Sequence, residues 1–332
     1  MEDSKVKTMR LPMSGVEISR IGLGCATFGR ETDERDSFRI LDYAFEHGIR
    51  LLDTAEAYGG GQARLNREKS LGIQDIRETT GEMHSSEKII GRWLRSTGLR
   101  SQVVIQTKIL NDFSQAHVAA ALEQSLERLQ SDYVDIYLLH HYDKKTPPET
   151  TVEAMDAAVR SRKTLSVGCS NFDASQLKSA LEIARERNLA RFEVIQPIYN
   201  LVDRQIEAEL LRLCTREQVA TVVYSPLAAG FLTGKYKAEA GVPKGTRFDV
   251  IPSYSNSYFN ESSFKLLEHL RALAERTGLS MARLAMSWVF SNPAVQCVLI
   301  GARTVGHIDN AIASHDGLPP ALVEEMNNWS FK

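Results

Sequence analysis

Cysteine is scarce in this chain. Cys25, Cys169, Cys214 and Cys297 are the four among 332 residues, far apart and without a CxxC pair. Scattered thiols do not make a disulfide framework, and they fit a reducing compartment. With no Cys or His cluster at zinc spacing, no metal centre is expected either. An excess of one charge is also missing, since 40 Lys and Arg stand against 42 Asp and Glu. That balance gives no basic field for nucleic acid or for an anionic membrane. No apolar run reaches the ~18 residues of a membrane span. The opening MEDSKVKTMRL has no apolar core of signal-peptide length. A cytoplasmic protein that binds neither nucleic acid nor a membrane is the expectation.

What is present is an alternation. The hydrophobic share of 43% and charged share of 25% are those of an ordinary globular chain. Strand-like runs recur at 18–24, 49–53, 102–108, 133–140, 164–170, 192–196, 220–224 and 296–300. Amphipathic helical patterns lie between them. In 114–129, Val118, Leu122, Leu126 and Leu129 share one face, and 173–187 and 204–217 repeat the arrangement, the first opening on Asp173 as a cap. Eight strands alternating with helices imply a parallel sheet, doubly wound or closed. The strand ends at Gly24, Asp53, Lys108, His140, Ser170, Gln196, Tyr224 and Ile300 decide between these. Five of the seven intervals are one βα unit of about 30 residues, and two carry insertions. Eight such units predict an α/β fold of the (β/α)8 TIM-barrel type. The segment KTMRLPMSGVEIS (7–19) reads as a β-hairpin capping the barrel floor. Residues 1–332 are read as a single domain with no linker.

Asp53, Lys108 and His140 each end a different strand, and Tyr58 lies one short loop beyond Asp53. Singly, a loop Tyr packs, a strand-end Lys snorkels and a strand-end Asp caps a helix. Together they face one pocket at the carboxyl ends of the strands, where such barrels keep their chemistry. A phenol with a pKa near ~10 is a poor acid at neutral pH. A neighbouring ammonium stabilises the phenolate, and a carboxylate holds that ammonium in place. A neutral His140 would hydrogen-bond a substrate oxygen, and a charged one would help relay a proton. Such a group suits carbonyl reduction.

At these residues the chain resembles the aldo-keto reductase family. DTAEAYG (53–59) is similar to its Asp-Thr-Ala-x-x-Tyr-Gly motif, VIQTK to its lysine strand and DYVDIYLLH to its histidine strand. GCSNF (168–172), QPIYN (196–200) and YSPLAAGFLTGKY (224–236) continue the likeness in order, over about residues 9–315. The resemblance implies Tyr58 as general acid, Lys108 and Asp53 tuning it, and His140 orienting the carbonyl. It implies Ser170, Asn171 and Gln196 at a nicotinamide carboxamide, Tyr224 stacked on the ring, and Ser225, Leu227, Gly230 and Lys235 along a pyrophosphate. Gly301, Arg303, Thr304, His307 and Asn310 would surround the adenosine 2′-phosphate and adenine, with His307 standing where many relatives have Gln. NADP(H) is therefore preferred, with NAD(H) as the alternative. His141 would line the pocket rim. The glycines of IGLGCATFG (21–29) miss the dinucleotide spacing, so they read as the first βα turn, with Thr27 and Phe28 lining the pocket. A binding protein of the same fold that holds NADPH as a redox sensor is the competing reading.

Two segments exceed the repeat. Residues 61–84 follow strand two as an insertion whose charges cancel, with Leu65, Leu71, Ile73 and Ile76 as its large aliphatics. These suffice for one short helix, and the segment is either a solvated loop or a lid that narrows substrate choice. Residues 225–295 hold a long loop and two helical patterns, where Arg247, Tyr254, Tyr258 and Phe259 either shape a pocket wall or pack helices.

Overall fold

A computed structural model of the chain describes residues 6–72, 78–238 and 240–329, without the side chains of Leu71, Ser253 and Tyr254. Of the aliphatics expected to build the insertion, Ile73 and Ile76 lie outside the described residues, as does the Tyr254 side chain. Two strands, β1 (Thr8–Arg10) and β2 (Glu17–Ser19), form the expected antiparallel hairpin. The barrel unit then begins with β3 (Ile21–Gly24), α1 (Glu34–Glu46), β4 (Leu51–Asp53), α2 (Gly60–Leu71), α3 (Ser85–Thr97), β5 (Val104–Ile109) and α4 (Gln115–Leu129). It continues with β6 (Val134–Leu139), α5 (Pro148–Arg160), β7 (Thr164–Ser170), α6 (Ala174–Glu186), β8 (Phe192–Gln196), α7 (Leu210–Glu217) and β9 (Ala220–Val223). Four helices follow, α8 (Arg247–Val250), α9 (Ser253–Tyr258), α10 (Glu261–Thr277) and α11 (Met281–Ser291). The chain closes with β10 (Cys297–Gly301), α12 (Val305–Ser314) and α13 (Pro320–Asn327).

β3 to β10 pair in parallel, in sequence order, and β10 closes on β3 to complete an eight-stranded barrel. The interior follows from period two along each strand. Leu51, Val104, Ile136, Leu138, Val194, Ala220, Val222, Cys297 and Leu299 form one buried cluster, with Leu11, Val16 and Ile18 of the hairpin closing its lower end. The larger cluster lies between the strands and the surrounding helices. Glycine appears where the interior has no room. A Cβ on Gly168 would stand 2.0 Å from the Val194 carbonyl oxygen, and one on Gly22 would meet Leu299 at 2.5 Å. Among the described residues no helix is long and apolar enough to cross a membrane.

Two elements differ from the sequence reading. The helical pattern of 204–217 becomes a 3₁₀ turn at Gln205–Glu207 and a shorter α7, the two separated by a non-helical φ of −132° at Glu209. The insertion is not a solvated loop along its described length, since α2 occupies its first half. Its return limb is stitched to the first βα loop, Thr79 N and Thr80 N donating to the carbonyls of Arg30 and Gly29 at 3.0 and 3.2 Å. Arg67 and Glu78, both buried, pair at 2.5 Å across its two limbs.

Candidate active site

Continuing period two above the apolar interior, by one step on most strands and by two on β5, brings the polar residues to the same end of the barrel. Asp53 ends β4, Lys108 sits on β5, His140 follows β6, Ser170 ends β7, Gln196 ends β8 and Tyr224 follows β9. Lys108 is fully buried. Its ammonium donates to Asp53 Oδ1 at 2.6 Å and to the Thr54 carbonyl at 2.7 Å. It lies 4.9 Å from the centre of the Tyr58 ring. Burial lowers the Lys108 pKa, and the Asp53 carboxylate beside it opposes that shift. The His140 ring meets the Tyr58 ring edge-on, with centroids 5.6 Å apart. The four residues named from the sequence are thus brought together.

His140 resolves one alternative. Burial, with Lys108 and His141 adding positive charge nearby, lowers its pKa to about 3. It is neutral at pH 7, so it can hydrogen-bond an oxygen but is not a cationic proton relay there. His141 turns away, its Nδ1 3.1 Å from the Tyr142 carbonyl and its ring 6.0 Å from Phe113.

Asn171 adopts a left-handed φ of 58°, which turns its amide back over the strand ends. Its Nδ2 donates to the His140 carbonyl and to Ser170 Oγ, and its Oδ1 accepts from the Tyr224 hydroxyl at 2.9 Å. Ser170 Oγ donates to the Gln196 carbonyl, and Gln196 Nε2 donates to Asp53 Oδ1 at 2.8 Å. Gln196 therefore retains Oε1 for a ligand. After β9 the chain bends sharply, with positive φ at Ser225, Ala228, Ala229 and Gly230. Three of these are L-residues in the left-handed region, a costly conformation that the fold imposes where the resemblance expects a pyrophosphate crossing. Asn200, buried, supports the bend by donating to the Ser225 carbonyl. Leu227 is half-buried on the same loop.

The Lys235 ammonium stands over Gly230, where a Cβ would approach it at 3.1 Å. Burial and the charge of Arg303 both lower the Lys235 pKa. Among the described residues neither cation forms a carboxylate ion pair, while Arg303 donates to the Gly245 carbonyl. Two adjacent cations without a counter-charge are the donor set that a phosphate ester wants. Thr304 precedes α12, and His307 closes the cap with its Nδ1 3.2 and 3.3 Å from the backbone N–H groups of Arg303 and Thr304. An anion that used those N–H groups would have to displace the His307 ring. Gly301 and Asn310 are exposed nearby.

The remaining expectations divide. Thr27 is half-buried, with Oγ1 3.5 Å from the Ala302 carbonyl. Phe28 is wholly buried in the core between strands and helices and so is a packing residue. Tyr258 and Phe259 also pack, ringed around Phe231 at 6.1 and 6.0 Å together with Tyr236 and Phe264. Arg247 bonds Glu31 at 2.8 Å, and Glu31 also takes Arg30, so the start of α8 is tied to the first βα loop.

Two features escaped the sequence reading. Gln106, buried inside the barrel, donates to Asp53 Oδ1 at 2.7 Å. Its signal was available: it is two residues from Lys108 in an apolar run, hence on the same inward face. The other feature is a clasp at the neck of the insertion. His84 Nδ1 lies 2.5 Å from the Glu56 carbonyl, and Gln62 donates to that carbonyl at 3.2 Å. Both hold the turn that carries Tyr58, and spacing across 22 residues gave no hint of it.

A family model described as the aldo/keto reductase family matches residues 20–325. The chain is 33% identical over 317 residues to the uncharacterized oxidoreductase YrpG of Bacillus subtilis (strain 168), covering 91% of this chain and 89% of that protein. It is 32% identical over 310 residues to the aldo-keto reductase YhdN of the same organism, covering 89% and 85%. Over 322 residues it is 32% identical to a probable voltage-gated potassium channel subunit beta of Arabidopsis thaliana, covering 93% and 91%.

Proposed function

The chain belongs to the aldo/keto reductase family, and from that membership we propose that it is an NADPH-dependent carbonyl reductase, working on an aldehyde or ketone or in reverse on the alcohol. The observation that carries this reading is the buried Lys108 ammonium between Asp53 and the Tyr58 ring. When bound, the reduced nicotinamide supplies a hydride to the carbonyl carbon. Tyr58 gives its phenolic proton to the carbonyl oxygen as that oxygen gains charge. The Lys108 ammonium stabilises the phenolate left behind, and Asp53 keeps the ammonium in place. Neutral His140 donates a hydrogen bond that fixes the oxygen. Ser170, Asn171 and the Oε1 of Gln196 would hold the carboxamide, Tyr224 the ring face, and Ser225, Leu227, Gly230 and Lys235 the pyrophosphate. Arg303, Thr304 and Asn310, around Gly301 and His307, would take the 2′-phosphate and adenine.

The family generally uses nicotinamide cofactors, and Lys235 and Arg303, neighbouring cations without a carboxylate partner among the described residues, support NADP(H) over NAD(H). The four buried free thiols favour a cytoplasmic location. Absorbance of NADPH in the presence of a panel of aldehydes and ketones tests the activity. Tyr58→Phe should abolish reduction while leaving NADPH affinity within about twofold. Retained turnover in that variant overturns Tyr58 as the acid. Arg303→Ala should weaken NADPH binding about tenfold or more, with little change for NADH. The likeness to a protein named as a channel subunit supports a second reading, a cofactor-holding partner protein. NADPH binding without oxidation across the whole panel would favour it.

A further inference from the structure

Asp53 Oδ1 accepts three hydrogen bonds from three sides: Lys108 Nζ at 2.6 Å, Gln106 Nε2 at 2.7 Å and Gln196 Nε2 at 2.8 Å. Lys108 and Gln196 belong to the site already described. Gln106 does not reach the open end of the barrel, being fully buried two residues below Lys108 on β5. Its other amide atom, Oε1, is also buried and has no hydrogen-bond partner among the described residues. An orphaned carbonyl in the core costs about 1–3 kcal/mol. A side chain selected for packing alone would carry no such group, since methionine fills the same volume without one. What Gln106 supplies to the site is the hydrogen bond from its amide to Asp53.

Resting on the reading of Tyr58 as the acid, we propose that Gln106 is a positioning residue that acts on Tyr58 through Asp53. The amide points its positive end at the carboxylate and its carbonyl away. It draws part of the Asp53 charge onto itself, so less of that charge is spent on Lys108. The ammonium then presents a stronger positive field to the phenol 4.9 Å away at the ring centre. Removing the amide localises charge on Asp53, tightens its grip on Lys108 and makes the phenol a weaker acid.

The other titratable groups around this network are Cys25 beside β3, Glu56 in the Tyr58 turn, His84 behind that turn, Glu87 of α3, His140 and Cys297 of β10. Burial holds both thiols protonated, and His140 is neutral. None of the six hydrogen-bonds Gln106, so its substitution leaves their own partners in place.

The test is Gln106→Met, read without cofactor as well as with it. Tyrosinate absorbance is titrated in cofactor-free protein, and the Tyr58 component is isolated as the difference from Tyr58→Phe. That component should move up by about half a pH unit, roughly a threefold lower tyrosinate fraction at a given pH. The alkaline limb of the reduction rate should move with it, while Tm stays level or rises because the orphaned carbonyl is gone. An unmoved or lowered phenol titration in folded Gln106→Met overturns the proposal even where Tyr58→Phe is inactive. If Gln106→Met does not fold, Gln106→Leu, which likewise has no hydrogen to donate to Asp53, carries the same expectation and the same refutation. Activity surviving Tyr58→Phe would instead remove the reading on which the proposal rests, whatever the titration gave.

Discussion

At His140, burial together with the nearby charges of Lys108 and His141 decides the protonation state of the ring. Its pKa falls from 6.5 to about 3, so the folded protein does not take up the proton that the unfolded chain binds below pH 6.5. With the folded value depressed, this group's contribution to stability is present above pH 6.5 and is lost as pH falls toward 3. The loss is about 1.4 kcal/mol per pH unit while only the unfolded state is protonated. His140→Asn removes that linkage. Urea unfolding at pH 7, 5.5 and 4.5 should show a shallower decline in the variant, by about that slope. Parallel declines would mean that His140 is charged in the fold. At this scale the sequence was most legible where a polar residue ends an apolar strand, as with Asp53, Lys108 and His140. Gln106 was hidden because a mid-strand polar residue reads as an interruption unless the inward face is followed through Lys108. The distinction between a neutral and a charged His140 was not legible at all, since it depends on what packs around the ring.

Among the elements, strands and regular helices followed from periodicity, with Asp173 capping α6 as its position suggested. The insertion did not, because its order comes from distant partners. Three glycines, Gly59, Gly60 and Gly61, allow the start of α2 to press on residues 80–85 and on Gly29; a Cβ on Gly60 would sit 1.9 Å from the Thr80 carbonyl. The apolar pattern of α2 is weak, and what holds its far end is the buried pair of Arg67 and Glu78. Breaking such a pair by removing one partner costs about 3–5 kcal/mol, because the other charge remains buried. Arg67→Met should therefore loosen the segment locally. Proteolytic nicking and amide exchange within residues 60–84 should rise steeply, while the barrel strands keep their protection. Equal loss of protection in β5 and β6 would show instead that the insertion folds only with the barrel. The Gln62–His84 clasp also changes the expectation for a lid. Deleting residues 61–84 takes away both side chains that hold the Glu56 carbonyl, so turnover on small aldehydes should fall along with turnover on bulky ones.

For the molecule as a whole, the barrel separates stability from chemistry along its axis. The candidate site lies at the carboxyl ends of the strands, and the opposite end is plugged by the hairpin residues Leu11, Val16 and Ile18. Glu193, at the start of β8 and buried, fixes that plug by accepting from Met13 N at 2.6 Å, Ser14 N at 3.0 Å and Ser166 Oγ at 2.8 Å. The sequence announced the hairpin by its turn residues, but not this carboxylate, which lies about 180 residues away in the chain. Glu193→Leu strips the acceptor from three donors at once, each left with a desolvation cost of about 1–3 kcal/mol where water cannot reach it. Tm should fall by several degrees. Measured well below that midpoint, kcat/KM should stay within about twofold of the parent, since the site residues are one barrel length away and share no partner with Glu193. The double variant Glu193→Leu/His140→Asn sharpens the test, because distant and independent sites give additive changes in unfolding free energy within about 0.5 kcal/mol. A coupling larger than that, or a kcat/KM that fell with Tm, would mean that the floor of the barrel is transmitted to its active end.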